Sequence, residues 1–283
     1  MKNVLLGALL VLAATSTHAG TSQDLESSAV VEGSIVLAKD GSVQSATVKD
    51  AAKYGAPIAE MVRNAALHWH FQPILRDGQP VLAKASMHVR VVLKPTPDGN
   101  FSARIKGATF GDEEARSTDE LSSTDASKKI LPRYPDVAIH YRVQGTVYLA
   151  LHVDRSGHVT DAVAEQVNLR NIGPEHLLQQ YRDIMAKSAL KAARQWTYTV
   201  PTTGKLAGQD SWTARVPVNY TLNEMDRPKT DSVWQTYVPG PFTPAPWVDK
   251  PDMNATDALA DDDSDHVQTD GAGPVLLSPA HRG

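Results

Sequence analysis

Hydrophobic and polar positions alternate in two stretches of the chain, residues 31–43 and residues 143–159. A short polar turn interrupts each stretch, with Asp40 and Gly41 in the first and Asp154 and Gly157 in the second. A period of two around an Asp/Gly turn is typical of a β-hairpin with one buried face. The pattern therefore predicts one hairpin in each stretch.

A helical pattern follows each hairpin. Behind Pro57, a residue favoured in the first turn of a helix, apolar residues recur every three or four positions, and a longer run with the same spacing follows the second hairpin. The apolar positions of the two patterns are Ile58, Met61, Val62, Ala65 and Ala66, then Leu177, Leu178, Tyr181, Ile184, Met185, Ala189 and Ala193. Both patterns predict a helix that packs one face against a sheet.

The two helical stretches also end alike. Trp69 and Trp196 are each followed two positions later by an aromatic residue, and candidate strands follow at residues 83–93 and 213–222. We expect both tryptophans to pack the end of the helix against the sheet. The order strand, strand, helix, strand thus occurs twice, 112 to 127 residues apart, which predicts an α+β fold of two units.

The pattern places the first unit at residues 20–110 and the second at residues 130–225. Between them, residues 111–129 are rich in Ser, Thr, Asp and Glu, a composition typical of a linker. Residues 101–110 fit neither unit clearly, and one interpretation is an additional strand of the first unit.

Residues 1–19 have the features of an export signal: the basic Lys2, an apolar run at residues 4–14, and small residues before a cleavage site ahead of Gly20. The apolar run is shorter than the roughly 20 residues needed to span a bilayer. We therefore expect a cleaved signal peptide and a mature protein in the periplasm of a Gram-negative host. The alternative is that the segment is retained as an inner-membrane anchor.

Residues 226–283 differ in composition from the rest of the chain. They hold 10 Asp and no Glu against 4 Lys+Arg, a net charge of -6, and 8 of the 18 Pro. Such a segment buries too little apolar surface to offset the entropy lost on ordering. The sequence predicts a disordered Pro/Asp-rich tail.

The whole chain of 283 residues has no cysteine, a net charge of -4 and no long basic run. The absence of cysteine excludes disulfide bonds, a thiolate metal site and a cysteine nucleophile. The charge pattern shows no nucleic-acid footprint.

The second unit resembles the C-terminal domain family of TonB, the periplasmic part of the energy transducer for outer-membrane receptors. The resemblance covers about 90 residues and depends on an ordered set of short motifs rather than on any one of them. These motifs are Pro132-Arg133-Tyr134-Pro135-x-x-Ala138, Val143-x-Gly145-x-Val147, Val153-Asp154-x-x-Gly157-x-Val159 and Ala189-x-x-Ala192-Ala193-x-x-Trp196-x-Tyr198. The first unit looks like a degenerate copy without the Tyr-Pro lead-in.

The resemblance implies a binding module rather than an enzyme, with no cofactor. In TonB-like domains the last strand has an exposed edge, and the TonB box of a receptor pairs with it as an added strand. By motif position, the corresponding partner-binding residues here are Arg133, Tyr134 and Pro135 in the lead-in and Arg215, Val216, Val218, Asn219 and Tyr220 in the strand.

Pro217 lies within this strand and lacks a backbone N–H. It confines the strand to a sheet edge, and it either leaves a gap in partner pairing or protects the edge against aggregation. The chain also departs from a complete transducer, because its signal looks cleavable and no long Pro/Lys-rich spacer precedes the domain.

A metal site is the first chemical alternative. His68 and His70 share one side of an extended segment, and His88 on the following strand could supply a third ligand. The second unit has Gln195 and Thr197 at the positions that match the first two histidines. We therefore expect exposed histidines and no metal.

Two further patterns imitate functional sites. His152, Asp154, Ser156 and His158 crowd one hairpin turn, but no nucleophile-elbow motif accompanies them, and turn geometry accounts for Asp154. Three aspartates within residues 261–265 match the start of a calcium loop, whose required Gly and Glu are absent.

We therefore expect a non-enzymatic periplasmic interaction protein linked to TonB-dependent transport. Its expected partner is an outer-membrane TonB-dependent receptor or another periplasmic protein, bound by edge-strand pairing. The alternatives are a membrane-anchored transducer, a structural envelope protein that dimerises through the same strand, and a metal-dependent periplasmic enzyme.

Overall fold

The computed structural model describes residues 25–111, 118–124, 130–222, 232–248 and 267–277. The expected signal peptide and the calcium-like aspartates lie outside these residues. The described chain has a mixed α+β fold, as the sequence predicts, in which strands outnumber helices.

The first half has one long helix and four long strands. Its elements, in chain order, are β1 (Glu26–Leu37), β2 (Val43–Val48), a 3-10 turn (Ala51–Lys53), α1 (Ala56–Leu67), β3 (Leu75–Arg76), β4 (Gln79–Pro80), β5 (Ala83–Pro95) and β6 (Phe101–Gly111).

All four long strands belong to one antiparallel sheet. The central strand β1 pairs with β5 along one side and with β2 along part of the other. β6 pairs with β5 from Pro95↔Phe101 to Ser86↔Gly111, which confirms the interpretation of residues 101–110 as an additional strand. α1 covers one face of the sheet, and Trp69 is buried in the core between them.

After a short lead-in, the second half repeats the order of β1, β2, α1 and β5. Its elements are β7 (Ser122–Ser123), α2 (Asp136–His140), β8 (Gly145–Asp154), β9 (Val159–Leu169), α3 (Glu175–Ala193), β10 (Tyr198–Thr199) and β11 (Ser211–Tyr220). β8 is central and pairs with β9 on one side and β11 on the other. α3 covers one face of this sheet and, with Trp196, encloses its core.

The hairpin turns of the two halves make the same contacts. Gly41 and Gly157 have φ angles of 87° and 81°, in the left-handed region that favours glycine. Each accepts a 2.8 Å backbone hydrogen bond at its carbonyl, from the N–H of Phe71 in the first half and of Tyr198 in the second. The aromatic residue two positions after each tryptophan is thereby fixed to the hairpin.

Two stretches of the C-terminal tail are folded, so the prediction of a disordered tail is wrong for residues 232–248 and 267–277. They contain β12 (Gln235–Tyr237), which pairs with β1, and β13 (Gln268–Thr269), which pairs with β11. Low hydrophobicity did not prevent ordering because these stretches pair their backbone with existing sheet edges and bury single residues such as Tyr237.

The predicted linker is also partly folded. Leu121 is buried in the core of the second half, and β7 pairs with β10. The backbone N–H of Leu121 donates to Oγ1 of Thr269 at 3.1 Å. The described part of the linker therefore packs against the second sheet and against the tail.

Candidate functional site

The edge of the second sheet formed by β11 is the candidate functional site. β11 pairs with β8 without a register shift, from Ser211↔Asp154 to Tyr220↔Gly145. On the opposite side, the backbone N–H of Asp270 donates to the carbonyl of Thr213 at 3.0 Å. We call this side of β11 the outer edge.

Backbone groups alternate along a strand, so the hydrogen bond at Thr213 fixes which residues point outward. The backbone N–H and C=O groups point toward the outer edge at Thr213, Arg215 and Asn219, and so does the C=O of Pro217. The backbone groups of the residues between them point toward β8. The missing N–H of Pro217 therefore falls on the outer edge and leaves the ladder to β8 intact. Proline is tolerated at such an edge position.

Three of the predicted partner-binding residues point their side chains into the core beneath α3. Val216, Val218 and Tyr220 are all buried. The hydroxyl of Tyr220 donates to the carbonyl of Met185 in α3 at 3.2 Å, and burial raises the pKa of this tyrosine. These residues thus anchor β11 to the core and to β8, and the main-chain groups between them, the C=O of Pro217 and the N–H and C=O of Asn219, are the ones that face the outer edge.

Arg215 is completely buried on the sheet face away from α3. Its guanidinium donates to both carboxylate oxygens of Asp270, at 2.8 and 3.1 Å, and to the carboxylate of Glu165. Burial alone would lower the pKa of Arg215, but the hydrogen bonds and charges of Asp270 and Glu165 raise it. The side chain is therefore held within the molecule by two carboxylates.

Asn219 lies on the same face as Arg215 and is partly exposed. Its side-chain carbonyl accepts a hydrogen bond from Oγ1 of Thr146 on β8 at 2.7 Å. Pro217, between these two residues on the same face, is also partly exposed.

The lead-in residues lie beside the end of β11. The ring of Tyr134 packs edge-on against Tyr220, with centroids 5.3 Å apart, and its hydroxyl donates to the carbonyl of Val143 at 2.6 Å. Burial raises the pKa of Tyr134 to about 12. The structure thus brings the lead-in and the strand together.

The two neighbours of this tyrosine differ in exposure, since Arg133 is exposed and Pro135 is partly buried. Arg133 is largely exposed and pairs with Asp136 at 2.9 Å, while its carbonyl accepts a hydrogen bond from Ser188 in α3. Pro135 precedes the first residue of α2 and sets the start of that helix.

Sequence reasoning missed the residues of the tail that lie on the outer edge. Gln268 pairs with Arg215, Thr269 pairs with Ala214, and Asp270 follows them. The available signal was a brief alternation from Val267 to Thr269 ahead of an Asp-Gly turn. That signal is too short to predict a strand.

Residues of the alternative metal and catalytic sites form hydrogen bonds with groups near them in the sequence. Nδ1 of His68 lies 2.7 Å from the carbonyl of Asn64 within its own helix end. Oδ1 of Asp154 accepts hydrogen bonds from the backbone of Ser156 and His158, which confirms its role in the turn. Within the described residues, no three His, Asp or Glu side chains are grouped closely enough to hold a metal ion.

None of the helices in the described ranges is both long and apolar enough to cross a membrane.

Comparison with known proteins identifies similar sequences. The chain is 37% identical over 106 residues to the Protein TonB of Xanthomonas campestris pv. campestris strain B100 and to that of strain ATCC 33913. The alignment covers 36% of this chain and 40% of each relative, so the chain spans well under half the length of the curated relatives it matches. No protein-family model matches the chain, and no solved structure matches it significantly. The two relatives support a TonB-like family.

Proposed function

We propose that this protein is a non-enzymatic TonB-like interaction protein that acts in TonB-dependent transport across the outer membrane. It binds an extended segment of an outer-membrane receptor, or of another periplasmic protein, along the outer edge of β11. The observation that carries this proposal is that β11 already accepts a short added strand, β13, at its outer edge.

Strand addition suits this edge because the main chain supplies the affinity. The side chains of Val216, Val218 and Tyr220 pack in the core beneath α3 and hold the strand in place. An added strand therefore meets the fixed backbone groups of Pro217 and Asn219. Pairing between β13 and β11 ends at Arg215. The partner is proposed to pair beyond it, from Val216 to Tyr220, with Arg133, Tyr134 and Pro135 alongside.

We further propose that the first half is a degenerate copy of the same domain. Both halves have a glycine at matched positions of the central strand, Gly33 and Gly145. An added Cβ at either glycine would lie 2.3 Å from the carbonyl oxygen of a neighbouring strand. The shared turn contacts of Gly41 and Gly157 also favour a common origin.

The proposed location is the periplasm, after removal of residues 1–19. A membrane-anchored transducer is the second candidate, favoured by the TonB names of the two relatives. N-terminal sequencing of the mature protein distinguishes the two, because a first residue near Gly20 contradicts the anchored form.

Two substitutions of one residue test the edge-pairing proposal. Asn219→Pro removes an outward N–H and leaves the ladder to β8, whereas the matched control Asn219→Ala loses the same contact with Thr146 but keeps the N–H. We expect Asn219→Pro to reduce receptor co-purification and TonB-dependent uptake about fivefold or more, and Asn219→Ala to retain both. Equal behaviour of the two variants would contradict pairing along this edge.

A further inference from the structure

The chain supplies its own added strand to the proposed binding edge. Gln268 and Thr269 pair antiparallel with Arg215 and Ala214, and the Asp270 N–H completes the ladder on Thr213. This strand comes from a region distant in sequence and binds in the manner proposed for a partner. Its short length means that few main-chain hydrogen bonds hold it.

The carboxylate of Asp270 is a further attachment of this strand, besides its ladder and the hydrogen bond that Thr269 accepts from Leu121. Arg215 lies between two acids, with Glu165 fully buried and the side chain of Asp270 26% exposed. Glu165 also accepts a hydrogen bond from the backbone of Ala245 at 3.3 Å, which ties it to the other tail stretch. Asp270 is therefore the accessible member of the cluster, and the one that a ligand could replace.

We propose that the outer edge at Thr213–Arg215 is a site that binds an added strand and recognises a carboxylate of that strand through Arg215. In the structure β13 occupies this site, and a partner peptide can displace it. This inference rests on the proposed function, narrows its partner class, and extends the segment of β11 with which the partner pairs from residues 216–220 to residues 213–220. The incoming ligand is an extended peptide with Asp or Glu at the position of Asp270, one residue after the pair that faces Ala214 and Arg215.

The selectivity follows from the burial of Arg215. A peptide that displaces β13 but has no carboxylate at this position cannot form the bidentate hydrogen bond to the guanidinium. That charge-assisted hydrogen bond is stronger than one between neutral groups. A peptide with a matching carboxylate replaces that contact. We expect at least about a tenfold preference for the acidic peptide.

The test uses the full chain and two labelled synthetic peptides. The first is Val-Gln-Thr-Asp-Gly-Ala, the chain's own residues 267–272, and the second has Asn in place of its Asp. The protein is the Asp270→Asn chain, in which the resident strand is weakened and Arg215 is retained. Gln268→Pro, which removes a donor of the resident strand, provides the same test if Asp270→Asn does not fold.

Fluorescence anisotropy should show that the Asp270→Asn chain binds the Asp peptide about tenfold or more tightly than the Asn peptide. Equal binding of the two peptides, or binding of neither, would overturn the proposal.

A disulfide lock provides the matched control. Ala214 and Thr269 face each other as a non-hydrogen-bonded pair, in which Cα atoms lie about 4.5 Å apart, a separation that a disulfide accepts. The chain has no other cysteine. When Ala214→Cys and Thr269→Cys are added to the Asp270→Asn chain, the oxidised protein should bind neither peptide, and reduction should restore binding of the Asp peptide.

Two results separate this inference from the function on which it rests. If the chain binds the Asp and Asn peptides equally while the Asn219→Pro variant still shows reduced receptor binding, only the proposal of a carboxylate-selective site is contradicted. If oxidation of the double-cysteine chain gives disulfide-linked dimers, the occupant is a second copy of the chain and the assignment to a foreign peptide is wrong.

Discussion

Glu26, the first residue of β1, connects the first sheet to the tail. Its carboxylate accepts hydrogen bonds from the hydroxyl of Tyr237 at 2.8 Å and from Arg104 at 2.9 Å, and Lys106 lies 3.8 Å away. Burial raises the pKa of Glu26, but the charge of Lys106 and the two hydrogen bonds outweigh it, so the pKa is lowered. The ionised form is therefore the one that the folded protein stabilises.

This residue predicts a pH dependence of stability. Because its pKa is lower in the folded state, Glu26 stabilises the fold above the ordinary glutamate pKa of 4.5, and this contribution is lost as the pH falls below that value. Glu26→Gln should lower the free energy of unfolding by about 1–3 kcal/mol at pH 7 and by less at pH 3. Urea unfolding at both pH values measures this, and an equal loss at both would contradict it.

Residue roles on β11 illustrate what the sequence could and could not predict. The alternation from Val216 to Tyr220 predicts a half-buried strand, and the structure has one. The burial of Arg215 could not be predicted, because its partner Asp270 is 55 residues away in sequence. A charged residue in a candidate edge strand is usually exposed, but the folded tail supplies a carboxylate that pairs with this one.

At the scale of elements, both hairpins, both long helices and both following strands lie where hydrophobic periodicity predicts them. Local patterns suffice for these elements because each buries one continuous face. β12 and β13 were not predicted, because strands of two or three residues obtain their stability from the edges they join rather than from their own pattern.

Replacing Pro217 tests how the outer edge of β11 accepts an added strand. Pro217→Thr adds an outward N–H to β11 without changing its pairing with β8. If the proline leaves a gap in partner pairing, one added hydrogen bond of about 1 kcal/mol should tighten receptor binding about fivefold. Titration of purified receptor with both chains measures this effect. Unchanged receptor affinity together with new self-association would instead assign Pro217 to protection of the edge.

At the scale of the whole molecule, the tail joins the two halves. Tyr237 pairs with β1 of the first sheet, and the next residue, Val238, exchanges backbone hydrogen bonds of 2.7 and 3.1 Å with Leu169 of the second. The later stretch pairs with β11 and then, at Leu276, with Phe71 of the first half. The acidic composition of the tail predicted none of these contacts, because composition does not report which edges are left open.

The halves also contact each other directly. Arg90 on β5 is buried and donates to the hydroxyl of Tyr148 on β8 at 2.7 Å. The same guanidinium lies 5.4 Å from the ring centroid of Tyr148 and 5.5 Å from that of Tyr237. The first half thereby supports the sheet face opposite α3, on which Arg215 lies.

The most direct test of the proposed function is a photo-crosslink from the outer edge in intact cells. A photoreactive residue at Pro217 is suitable because this side chain is partly exposed and points away from the α3 core, whereas Tyr220 is buried. Gln180, exposed on α3, is the control position. We predict that Pro217, and not Gln180, captures a periplasm-facing segment of an outer-membrane receptor, identified by mass spectrometry. Capture of only a second copy of the chain, or the same products from both positions, would contradict the account.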